Sequence, residues 1–151
     1  MTVETGLRAF LLAQSEIAAM VGTAARIFPG NLPQKVDWES GRCAIVLVLV
    51  SNPGGMHLRG PNARTTDRWQ IDSWARTSDN AMALGRLVRW RLNGYQGVWS
   101  DTQSPQNTIT VGAIIKDNEQ RIPEVEIHGG IYRHSGDYLV TWRASEERVL
   151  I

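Results

Sequence analysis

The residues of this chain whose types could do chemistry are three histidines, one cysteine, a close acid pair and a set of arginines around a tryptophan. His57 lies in a Gly- and Pro-rich stretch, His128 beside Gly129-Gly130, and His134 in an alternating run; none stands at HxxxH or HExxH spacing from another, so they form no zinc motif. Cys43 is the single cysteine, which excludes an internal disulfide and a Cys-based zinc site and is compatible with a reducing compartment. No GxxxxGK[ST] loop, no GxGxxG after a strand and no GxSxG elbow occurs, so phosphate cradles, dinucleotide sites and the common serine-hydrolase turn have no support, and no cofactor is expected. Glu124 and Glu126, with Asp117 and Glu119, make an acidic stretch around Pro123. Such carboxylates become catalysts only where a pocket shifts a pKa; the plain reading is a solvated acidic loop. Arg86, Arg89 and Arg91 flank Trp90, a composition that can grip single-stranded nucleic acid or sit at a protein interface. Sixteen Lys plus Arg against fifteen Asp plus Glu leave a formal charge of +1, which argues against binding nucleic acid through bulk positive charge.

These residues must be positioned by the elements around them, and the most informative stretch runs from Thr65 to Gly97. From Asp67 to Trp74 the chain alternates, Trp69 and Ile71 on one face and Arg68, Gln70 and Asp72 on the other, the period of a half-buried strand; Trp74 falls on the polar face. Ser78 or Asp79 is placed to cap a helix whose Ala81, Leu84, Leu87, Val88 and Leu92 recur at spacings of three and four, and Gly94 supplies a left-handed stop. On that helix Met82, Arg86 and Trp90 make a second stripe away from the core face. They are the candidate contact with a neighbouring subunit, against the alternative that Trp90 is covered by the 95–107 loop.

Before that stretch, Val3, Leu7, Phe10, Leu11, Ile17, Ala18 and Val21 share one side of a single helix closed by Gly22, with Gln14 in the middle of the face. Arg26 to Phe28 predicts a short strand, and 29–38 an irregular connection. Ala44 to Val50 is apolar on both faces, as in a strand covered on both sides, by the domain itself or by a second subunit. Ser51 to Arg64 predicts a long hairpin loop that carries Met56, His57, Leu58 and Arg59 at its tip, within reach of a partner. After it, Thr108 to Lys116 alternates Ile109, Val111, Ala113 and Ile115 against Thr110, Gly112, Ile114 and Lys116. A last strand runs from Ile131 to Arg143, with Tyr132, His134, Tyr138, Val140 and Trp142 on one side and Gly136 as a possible bulge.

The 151 residues are most simply one domain, 1–151. The expected fold is α+β, an antiparallel sheet of about four or five strands with two helices packed across it. The N-terminal twenty residues lack a basic leader, and Gln14, Ser15 and Glu16 interrupt their apolar run, so neither a signal peptide nor a membrane span is expected there and the protein should be made and kept in the cytoplasm.

The run Arg68-Trp69-Gln70-Ile71-Asp72-Ser73-Trp74-Ala75, followed by the alanine- and leucine-spaced helix and Leu92-Asn93-Gly94-Tyr95-Gln96-Gly97, resembles the tail completion, or tail terminator, proteins of long-tailed bacteriophages. Leu7 to Leu12 leading to Arg26-Ile27-Phe28-Pro29-Gly30 and Pro33-Gln34, the loop from Ser51 to Arg64, and Ile131-Tyr132-Arg133 with Asp137-Tyr138 agree with it in order. The chain departs most from the family between Ser100 and Gly129. The resemblance implies a structural virion protein and not an enzyme. It implies a homo-oligomeric ring, usually a hexamer, at the head-proximal end of the tail tube, where it stops polymerisation of the tail tube protein and presents a joining surface to head-tail connector or neck proteins. DNA would pass through the channel without specific binding. The protein would be found in the host cytoplasm during assembly and then in the virion tail, with no membrane involved. On that expectation Met56, His57, Leu58 and Arg59 dock axially, Met82, Arg86 and Trp90 meet the neighbouring subunit, and Asp117, Glu119, Glu124 and Glu126 face the channel and repel DNA. The rival readings are a head-side neck or connector protein, and from other classes a small nucleic-acid-binding module or an enzyme.

Overall fold

Thr2 opens the fold by capping its first helix: the Thr5 backbone N–H donates to Thr2 Oγ1 at 3.1 Å while the Thr2 N–H donates to Thr5 Oγ1 at 3.0 Å, satisfying two otherwise free amides. The computed structural model describes residues 1–22, 26–33, 36–38, 41–51, 64–101, 108–124 and 130–144, the last five residues of 108–124 by backbone alone. Its elements are α1 (Val3–Leu12), α2 (Ser15–Val21), β1 (Ile27–Pro29), β2 (Ala44–Ser51), β3 (Thr65–Ala75), α3 (Ser78–Leu92), β4 (Gly97–Ser100), β5 (Thr108–Glu124) and β6 (Ile131–Ala144).

The sequence predicts one opening helix where the structure has two. Gln14 adopts an extended conformation between them, and its side-chain amide donates to the Phe10 carbonyl at 3.0 Å. The break keeps Leu7, Leu11, Ile17 and Val21 all fully buried. Because it preserves the phase of the apolar pattern, periodicity alone does not reveal it.

The described strands form one six-stranded sheet in the order β1-β2-β3-β6-β5-β4. The class is α+β as expected, but with six strands and three helices among the described residues, and the sheet is mixed because β1 runs parallel to β2. The unexpected strand is β4, whose four residues are too few to show a period. β3 is central, pairing with β2 on one side and β6 on the other, Trp69 opposite both Leu49 and Tyr138.

Helices cover one face of this sheet. Beneath them lies the main core, in which Leu7, Leu11, Ile17 and Val21 meet Ile45, Leu47, Trp69, Ile71, Tyr138 and Val140. Among the described residues the other face is covered near β1 and β2, where Ala44, Val46, Trp74 and Ile131 pack under Phe28, Leu32, Trp38 and Val48. β2 is thus buried on both faces at its start, while Leu49 and Val50 at its end are about half exposed, at 47% and 49%.

The alternation expected across 108–116 is broken. The register of β5 against β6 shifts between Val111 and Ala113 and again between Lys116 and Asn118, so each irregularity reverses which face the next side chain takes. Ile109, Val111 and Ile114 are therefore all buried in the main core, while Ile115 turns outward. The bulges belong to β5; at Gly136, the expected site, the β3–β6 register runs through without interruption. β5 also continues to Glu124 through Pro123, so the expected acidic loop is a strand at least that far.

Candidate assembly surfaces

Helix α3 is capped by Thr77, whose hydroxyl accepts from the Asn80 N–H at 3.1 Å, in place of the expected Ser78 or Asp79. It ends at Asn93 and Gly94; Gly94 has φ +86° and its N–H reaches the Ile114 carbonyl at 2.7 Å, tying the helix end to β5. Between these ends Ala81, Leu84, Gly85, Val88 and Leu92 are buried against the sheet, with Leu87 packed at the margin.

The outward stripe of α3 holds the predicted subunit-contact residues. Met82 is half-buried and Arg86 exposed, and the Trp90 side chain is 78% exposed. Coverage of Trp90 by the loop after α3 does not occur among the described residues. An indole left in water on a folded domain forgoes the burial that makes Trp worth its size, which is why such residues concentrate at association surfaces. Of its basic neighbours, Arg91 donates to the Glu16 carboxylate of α2 at 2.7 Å and Arg89 pairs inward with Glu119 at 3.1 Å. The three arginines are therefore not a continuous basic grip.

Glu119 is the predicted acid that the structure places most definitely. The bulge of β5 at Asp117 turns it to the helix side, where its carboxylate gathers Arg89 at 3.1 Å, Lys116 at 3.2 Å and His134 Nε2 at 2.9 Å. Burial opposes its ionisation, but the Lys116 hydrogen bond and the charges of Arg89, His134 and Lys116 outweigh it and hold the carboxyl below the ordinary range. Burial and then the Glu119 charge push the neighbouring Tyr138 phenol well above its usual value. Asp117 points to the opposite face and receives Arg68 Nη1 at 2.6 Å. The backbone of Glu124 ends β5; its side chain and Glu126 lie outside the described residues, as do His57, His128 and the docking-loop residues Met56, His57, Leu58 and Arg59.

A feature not singled out from sequence lies on the open face. Val46 and Val48 of β2, Gln70, Asp72 and Trp74 of β3, Arg133 of β6 and the 30–32 turn enclose a cavity of about 270 Å³ that opens to solvent. Arg133 sits over the Trp74 ring at 5.2 Å and 3.5 Å from the Asp72 carboxylate, which also receives Gln70 Nε2 at 3.0 Å on each oxygen. The trace of it in the sequence is Trp74 standing on the polar face of its strand.

Among the described residues no nucleophile is hydrogen-bonded to a base. Cys43 is buried, and burial pushes its thiol up, so it is a packed side chain. Asp67 is a buried carboxylate held by the Trp142 indole N–H at 2.8 Å, its pKa raised by burial. Among the described residues no group of three His, Cys, Asp or Glu side chains is placed to hold a metal, and no helix is long and apolar enough to cross a membrane.

A family model described as tail completion protein gp17 matches residues 5–126. Among solved structures, a chain of the virion of a native gene transfer agent particle matches with a TM-score of 0.64, covering 92% of this chain and 92% of that one at 13% identity; at that identity the likeness is one of fold. No curated protein matches.

Proposed function

The chain belongs to the gp17 family of tail completion proteins, and from that premise we propose that it assembles as a ring, six-membered as the family resemblance implies, on the head-proximal end of a phage tail tube. The ring stops tube polymerisation and presents its other side to the connector of a filled head. A heterologous contact repeated by rotation closes into a ring of fixed size with no lateral end left over. The observation that carries the reading is Trp90: a 78%-exposed tryptophan on the outward side of α3 that costs the free chain solubility and becomes useful when a neighbour covers it.

Met82, Arg86 and Trp90 form the subunit contact in this proposal, and Met56, His57, Leu58 and Arg59 dock on the tube or neck. Asp117 and Glu119 are matched by Arg68, Arg89 and Lys116, so among the channel-facing candidates the repulsion of passing DNA falls mainly to Glu124 and Glu126.

The test is the mass in solution by light scattering over a concentration series, first alone and then with purified tail tubes. A discrete ring, or a monomer that becomes ring-sized at tube ends, is the expected result. A monomer indifferent to tubes would move the protein to the head side of the joint, as a neck component.

A further inference from the structure

We propose that the open-face cavity is the socket for Trp90 of the adjacent copy of this chain. The proposal rests on the ring reading and names the two halves of its repeating contact.

Knob and socket lie on opposite sides of the molecule. Trp90 projects from the side of α3 that faces away from the sheet, while Val88 and Leu92 on either side of it in sequence are buried against the sheet. The cavity is on the other face of that sheet, where Val46, Val48 and Trp74 line it. A knob and a socket that back onto each other through one domain cannot meet within a chain. They also cannot be satisfied in a two-fold dimer through a single shared patch, but they repeat head to tail from copy to copy.

The size admits the occupant. At about 270 Å³ the cavity lies at the small end of the roughly 300–1,000 Å³ usual for small-molecule and cofactor sites. One large side chain is the better fit. An indole brings roughly 150–250 Å² of surface to bury, and the described residues offer few exposed aromatics of that size: Trp90 is the only tryptophan among the large exposed apolar side chains there.

The chemistry of the walls also matches. Val46 and Val48 give the ring apolar contact beside Trp74. Gln70, whose amide nitrogen is spent on Asp72, leaves its carboxamide oxygen in the cavity lining as an acceptor for an indole N–H.

The experiment uses two full-length variants, Trp90→Ala, which lacks the knob, and Val48→Arg, which fills the socket. Each alone is expected to lose the ring, with the subunit dissociation constant rising about 30-fold or more, and to keep the thermal midpoint of the monomer. Mixed in equal amounts they should form a two-chain species and stop there, because the intact knob of one fits the intact socket of the other and the remaining two ends are both disabled. A wild-type-sized ring in either variant, or no heterodimer on mixing, would overturn the knob-and-socket assignment and leave the ring reading standing. A wild-type chain that forms no ring, alone or on tubes, would remove the ring reading and this inference with it. Should Val48→Arg fail to fold, Val48→Phe, which fills the same space without a charge, takes its place in the same mixing experiment, and the same two outcomes decide.

Discussion

Glu119 Oε1 and His134 Nε2 lie 2.9 Å apart on adjoining strands beneath α3. They meet because the bulge at Asp117 turns Glu119 to the helix side of β5, where it stands opposite Gly136 and beside Tyr138 and His134 of β6. An ionised carboxylate only accepts, so the imidazole Nε2 donates. Above the ring is Gly85 of α3: a Cβ there would fall well inside contact distance of the imidazole. The missing side chain lets the helix sit close enough for Arg89 to reach the same carboxylate.

Gly85→Ala should therefore destabilise the monomer by about 1–3 kcal/mol, the usual cost of overpacking, although alanine is the better helix former in isolation. Thermal denaturation of the variant checks it. Pairing it with His134→Ala should recover part of the loss, since the two side chains would no longer compete for one space; strict additivity would show that the crowding lies elsewhere.

The acid limb of the stability curve should carry Glu119. Its folded pKa is depressed below the ordinary 4.5, so its contribution is complete above that value and fades as pH falls through the folded pKa. Denaturant midpoints measured from neutral to acid pH should fall less steeply for Glu119→Gln than for the wild type. The same slope in both would assign the acid loss to other carboxylates.

Asp67 has the opposite sign. Burial raises its pKa above the ordinary 3.8, so the folded state binds the proton more tightly than the unfolded one, and the associated cost grows as pH rises from that value and is complete above the folded pKa. Asp67→Asn keeps an acceptor for the Trp142 indole and removes the buried charge. Its stability relative to the wild type should improve from acid to neutral pH; a relative loss at neutral pH would show that the charged form is the favoured one.

Trp90 and Trp69 should separate association from folding. Trp90→Ala should leave the monomer within about 0.5 kcal/mol of the wild type, as surface changes do, while weakening assembly. Trp69→Ala, where the side chain is buried in the main core, should cost about 3–5 kcal/mol. Chemical denaturation at concentrations low enough to keep the chain monomeric compares them directly.

At the start of α3, Thr77→Ala should cost about 1 kcal/mol and Ser78→Ala a few tenths at most, because only the Thr77 hydroxyl accepts a free amide. Equal losses would return the cap to Ser78.

The sequence by itself determined the elements long enough to show a period: the α3 core face, the β3 alternation, the doubly apolar start of β2 and the left-handed stop at Gly94 all stand where the spacing put them. It also carried the family through the order of its short motifs. Tertiary structure decided the rest, for a physical reason that recurs. A bulge shifts register by one residue and reverses every later side chain, so Ile114 went inward, Ile115 outward, and Glu119 out of the acidic loop into a network with His134. A four-residue edge strand and a helix break that preserves phase leave no periodic trace. The open-face cavity joins residues of β2, β3 and β6 that are far apart in sequence, and only strand pairing brings them to one wall.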